Sequence, residues 1–101
     1  MNQAIIDLLP ALTAKFFEDW NKTSFTSQPY SVEYEMGKKF CRIVQTGSQR
    51  SAMGFIQMVD DKIFKAGTLL KAASWKAPAV NFSRGSIFDL DNARIRWMGI
   101  N

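Results

Sequence analysis

An α+β fold, one helix packed on a mostly antiparallel sheet, is what this sequence predicts, and two periodicities predict it. Ile5, Leu8, Leu9, Leu12, Phe16 and Trp20 recur at three- and four-residue steps, the spacing that gathers side chains on one stripe of an α-helix. From Ser31 the period becomes two. Val32, Tyr34 and Met36 alternate with Ser31, Glu33 and Glu35, as in a strand with one buried face. The economical architecture is an N-terminal amphipathic helix on a four- to five-stranded sheet. The 101 residues leave room for one domain, 1–101, since compact domains run from roughly 50 to 200 residues.

In the helix, Asp7, Lys15, Glu18 and Asp19 fall outside the apolar stripe. Pro10 is the awkward residue, because it removes a helical hydrogen bond and disfavours helical geometry at Leu9. Either one helix is kinked there, or Pro10 opens a helix running to about Asn21 after a short leading turn. Thr23 to Gln28 is polar and turn-like. Gly37-Lys38 can make a two-residue hairpin turn with glycine first. Met36 then faces Lys39, Tyr34 faces Cys41, Val32 faces Ile43, and Glu33 faces Arg42, which groups apolar residues and pairs opposite charges. Thr46 to Arg50 reads as a loop and Ala52 to Val59 as a third strand. Asp60-Asp61 makes a turn from which Lys62 to Ala66 can return. Gly67 precedes a strand over Thr68 to Ala73, Pro78 to Gly85 is irregular, and Arg94 to Met98 alternates as a last strand.

Composition is that of a globular chain, with 47% hydrophobic and 22% charged residues, so disorder is not expected. A chain this short leans readily on a partner or a second copy of itself. The aromatic share, 13%, is high enough that some rings can serve an interface as well as the core. Cys41 is the only cysteine, which excludes an intrachain disulfide and points to a reducing, cytoplasmic compartment. Ile5 to Leu12 is interrupted by Asp7, has neither the preceding basic region nor the following cleavage pattern of a signal peptide, and is too short to span a bilayer. No membrane association is expected.

Charge is divided unevenly. Residues 1–36 carry two basic and five acidic side chains, a net −3, whereas residues 37–101 carry eleven and four, a net +7. Such a split suits a polyanion-facing side and an opposite neutral or acidic face; the plainer reading is that basic residues keep a small domain soluble.

The run Leu70-Lys71-Ala72-Ala73-Ser74-Trp75-Lys76-Ala77-Pro78-Ala79 is followed by Phe82-Ser83-Arg84-Gly85-Ser86-Ile87-Phe88-Asp89 and by Arg94-Ile95-Arg96-Trp97. These blocks resemble a family of small proteins encoded by tailed bacteriophages and other large DNA viruses, over roughly residues 68–99. The resemblance implies a viral origin, within an infected host cell, and supplies no site residues. It raises the expectation of DNA handling or of binding a host protein.

The chemistry available is narrow. There is no histidine, so the usual general base near neutral pH, the Ser-His-Asp and Cys-His centres and the commonest metal ligand are missing. One cysteine without histidine cannot build a structural zinc site. No Walker loop or GxGxxG fingerprint is present. We therefore expect a non-enzyme, with no cofactor or metal. Cys41 reads as an inert, partly buried residue. Asp89 and Asp91 could hold Mg²⁺ as in a nuclease, but beside Asn92 they read better as turn-capping residues. The best functional candidates are basic residues interleaved with rings: Lys71, Trp75, Lys76, Phe82, Arg84, Arg94 and Arg96 as nucleic-acid-binding residues. Cations displace counterions from phosphates, and exposed rings stack on unpaired bases. Lys71, Lys76, Arg84, Arg94 and Arg96 would contact phosphates, and Trp75 and Phe82 would stack. The expected partner is nucleic acid, single-stranded DNA among the candidates, with weak sequence preference. The alternative is a protein-interaction module that binds or inhibits a host protein, or a virion or assembly component. Trp75 and Trp97 could equally be core residues.

Overall fold

The apolar stripe of the N-terminal segment becomes the inner face of one helix, α1 (Gln3–Thr23), in the computed structural model, which describes residues 2–23, 30–47 and 49–101. Asn2 begins it as a cap, its side-chain oxygen accepting from the Ile5 N–H at 3.3 Å, which satisfies one of the orphan donors of the first turn. Ile5, Leu9, Leu12 and Phe16 are buried, with Leu8 and Phe17 packed at the margin. Pro10 lies inside this single helix on its exposed side. Of the two readings of Pro10, a single helix running through it is observed, and Pro10 does not open a new one. Most of the polar run after α1, residues 24–28, lies outside the described residues.

Four antiparallel strands follow, β1 (Ser31–Met36), β2 (Phe40–Thr46), β3 (Ser51–Gln57) and β4 (Leu69–Leu70), in the spatial order β1-β2-β3-β4. The α+β expectation of a helix on a mostly antiparallel sheet is met. The first hairpin differs in register from the expected one. Lys38 and Lys39 form the turn between Gly37 and Phe40, with the Gly37 N–H donating to the Phe40 carbonyl at 2.9 Å. The pairs are Met36 with Cys41, Glu35 with Arg42 and Tyr34 with Ile43. The turn has moved by one residue, so each cross-strand partner moves by two and every side chain keeps its face. A Cβ on Gly37 would stand 2.7 Å from the Phe40 carbonyl oxygen, which places glycine beside the turn rather than within it.

Between β2 and β3 the register slips: Ile43 pairs with Gly54 but Val44 with Ala52. Met53 is the extra residue of this bulge. Met53, Ile56, Cys41 and Ile43 join the helix residues, Tyr30, Leu69, Ile87 and Ile100 in the core. Val44, Phe55 and Leu70 are also buried but lie outside that cluster; Phe55 and Leu70 are paired across β3 and β4.

The C-terminal third uses less strand than expected. Lys62 to Ala66 does not return as a strand, because the Asp60 and Asp61 carboxylates accept the N–H groups of Ala66, Ile63 and Phe64 at 2.7–2.8 Å and hold a turn. The expected strand over Thr68 to Ala73 shrinks to β4. The segment Arg94 to Met98 is not one strand but the first arm and turn of a tiny hairpin, β5 (Ile95–Arg96) and β6 (Gly99–Ile100). No helix among the described residues is long and apolar enough to cross a membrane.

Candidate nucleic-acid interface

Main-chain hydrogen bonds gather four stretches of the basic half into one ladder. Arg84 N–H donates to the Leu69 carbonyl, Arg94 N–H to the Arg84 carbonyl, and Asn101 N–H to the Arg94 carbonyl, each at 2.9 Å. Lys71 follows β4 directly, and Ala79 N–H donates to its carbonyl at 2.7 Å. The consequence is a groove of about 160 Å³ lined by Lys71, Arg96, Met98, Gly99, Ile100 and Asn101. Cations 25 positions apart in the sequence thus face one opening with an apolar wall.

The expected site residues divide by environment. Lys71, Lys76 and Arg94 are exposed and make no ion pair among the described residues. Arg96 is exposed but shares its charge with Asp19 at 3.7 Å. Arg84 is placed differently: only 7% of its surface is accessible. Its Nη1 donates to the Asn101 main-chain oxygen at 2.6 Å, and its guanidinium lies 3.7 Å from the centre of the Phe82 ring. Its Nε, also buried, has no partner among the described residues. Arg84 is therefore a packing residue of the ladder, and Arg84→Glu would disturb the fold before it informed on binding. Phe82 is half exposed, with Arg84 over its ring.

The two tryptophans in doubt separate. Trp97 packs edge-on against Trp20 at 4.8 Å and its main-chain N–H donates to an Asp19 carboxylate oxygen at 2.8 Å, so it seals β5 to α1. Trp75 is at the surface, 37% exposed, at the tip of a small hairpin in which Ala72 bridges to Pro78. That tip folds over the outer face of the sheet onto Arg42.

Arg42 is the residue that sequence reasoning undervalued. Its Nε donates to the Trp75 carbonyl at 2.7 Å, and its guanidinium stands 4.5 Å from the Trp75 ring centre and 5.9 Å from that of Phe55. Its Nη1 donates to Glu35 at 2.6 Å, not to Glu33 as expected, because Glu35 is its cross-strand partner. Arg50 binds Glu33 at 3.0 Å and Glu35 at 3.1 Å, with its guanidinium 5.9 Å from Trp75. The alternation Cys41-Arg42-Ile43 already turns Arg42 outward, but nothing local reveals that Trp75 would cover it.

Other titratable groups have structural explanations. Asp91 pairs with Lys15 of α1 at 2.7 Å, which lowers the carboxyl pKa and raises that of the lysine. Asp89 accepts from the Asn92 side chain at 3.0 and 3.1 Å. Burial pushes the Cys41 thiol up to about 12, where it stays protonated and unreactive at neutral pH. Among the described residues there is no group of three acidic, cysteine or histidine side chains able to hold a metal ion.

No curated protein and no solved structure matches the chain. A family model does, over residues 1–98. The chain thus belongs to a family of unknown function, DUF7717.

Proposed function

We propose that this protein is a small nucleic-acid-binding protein, virus-encoded, that holds single-stranded nucleic acid with little sequence preference through its C-terminal half. The observation that carries this reading is the convergence of Lys71 and Arg96 on one groove, on the same ladder as Arg94. Lys71, Lys76 and Arg94 are cations without a compensating carboxylate among the described residues, which is the electrostatic footprint a phosphate backbone needs. Lys76 adjoins Trp75, and Phe82 is half exposed, so rings for base stacking lie within the same basic segment. The viral assignment rests on the sequence blocks over residues 68–99. The role proposed is binding rather than catalysis.

The test is fluorescence anisotropy of a labelled single-stranded oligonucleotide against wild type and the Lys71→Glu/Arg94→Glu double variant. Both side chains are exposed, so the fold is expected to survive. Affinity at low salt should fall by at least about tenfold, as two phosphate contacts turn repulsive. Affinity within twofold of wild type would remove these residues from the reading.

A second reading, a module for a protein partner, is favoured by one observation. Ile63, Met98, Phe88 and Val80 are large apolar side chains at least half exposed, and such surfaces often mark protein contacts. The acidic flank of α1 suits that role less, since Glu18 is paired with Lys15 and Lys22, and Asp19 with Arg96.

A further inference from the structure

On the outer face of the sheet, Trp75 and Arg42 are joined by two separate contacts. Trp75 sits at the tip of a hairpin, where an indole would ordinarily sample several rotamers. Here its main chain and its ring are both held by one side chain, through the 2.7 Å hydrogen bond from Arg42 Nε and the guanidinium 4.5 Å from the ring centre. Arg42 is itself fixed from behind by Glu35 at 2.6 Å and rests on Phe55, which is buried. Arg50 braces the other oxygen of Glu35 at 3.1 Å. Even so, 37% of Trp75 remains accessible. A side chain that is partly exposed yet held at both its main chain and its ring has less entropy left to lose on binding, which is the property of a recognition anchor.

We infer that Arg42, backed by Glu35, is a positioning residue that holds Trp75 as a stacking platform for one unpaired base. The inference rests on the nucleic-acid reading and deepens it. The two arginines and two glutamates of this cluster neutralise one another, so the cluster adds no net attraction for phosphate. Its contribution is to the base, and the phosphates are left to Lys71, Lys76 and Arg94. A base in a duplex has both faces stacked already, so a platform of this kind selects unpaired nucleotides.

Arg42→Lys is the discriminating variant. It keeps the charge but loses the planar guanidinium and the Nε donor. Binding of wild type, Arg42→Lys and Trp75→Ala to a single-stranded oligonucleotide and to an abasic strand of equal length is measured across a salt series. Both variants should bind the base-bearing strand about tenfold more weakly than wild type, with the slope of log affinity against log salt unchanged. All three proteins should bind the abasic strand alike. Wild-type affinity in Arg42→Lys, or an equal loss on the abasic strand, would overturn the positioning role while leaving the nucleic-acid reading in place. Failure of wild type to bind either strand at low salt would end both. Circular dichroism of each variant separates a lost platform from a lost fold, and Glu35→Gln, which loosens Arg42 without touching Trp75, should lower the ratio of base-bearing to abasic affinity, since the positive charge it uncovers acts on both strands alike.

Discussion

Asp61 shows how much a single side chain decides in this molecule. The N–H groups of Phe64 and Ile63, followed by Lys39 and Gln57, hold its carboxyl at about 2 against an ordinary 3.8. A pKa lower in the folded than in the unfolded chain means that the stabilisation is complete above about pH 4 and is lost as pH falls through about 2. Asp61→Asn should lower the urea midpoint at pH 6, and the gap to wild type should narrow at pH 2.5; a gap independent of pH would show that the charge plays no part. At the alkaline end, burial raises the Tyr30 hydroxyl to about 12 and also raises Tyr34. At this scale the sequence was informative wherever chemistry is local. The lack of histidine, the buried Cys41 and the turn-making Asp60-Asp61 were all legible. The burial of Arg84 was not, because it depends on Asn101 and Phe82 arriving beside it through tertiary contacts.

Elements were legible in proportion to the length of their pattern. The helix stripe from Ile5 to Trp20 and the alternation from Ser31 to Met36 each repeat often enough to fix a period, and both became the elements expected. The hairpin register missed by one turn residue, since Gly37-Lys38 and Lys38-Lys39 place the same apolar residues on the same face. The two-residue strands β4, β5 and β6 carry no readable period at all. What fixes β6 is a close approach: Gly99 has φ +138, and a Cβ there would stand 2.3 Å from the Met53 carbonyl oxygen. Only glycine occupies such a conformation without strain of about 1–3 kcal/mol. With the steric clash added, Gly99→Ala should destabilise the protein by more than about 2 kcal/mol in urea unfolding. A loss under about 0.5 kcal/mol, the range of neutral surface changes, would mean that β6 is not packed against β3 as described.

For the molecule as a whole, the charge imbalance read from the sequence acquires a place. The acidic side chains of the helix are largely compensated within the chain, by Lys15, Lys22 and Arg96, as Glu33 and Glu35 are by Arg42 and Arg50. The excess of positive charge falls on Lys71, Lys76 and Arg94, together with Lys38, Lys62, Lys65 and the buried Arg84, which also lack an ion pair among the described residues. The sequence could show that the C-terminal half is basic but not which of its cations are already spent on carboxylates, because most of those pairings join residues distant along the chain. The family match over residues 1–98 extends well beyond the blocks at 68–99 that the sequence made conspicuous. The most direct test of the central claim is the salt dependence of wild-type binding to a single-stranded oligonucleotide. Three phosphate contacts, from Lys71, Lys76 and Arg94, should give a slope of log affinity against log salt of about −2, at about −0.7 per contact. Binding with a slope near zero, or no binding at low salt, would contradict a phosphate-facing role and turn attention to the apolar surface of Ile63, Val80, Phe88 and Met98.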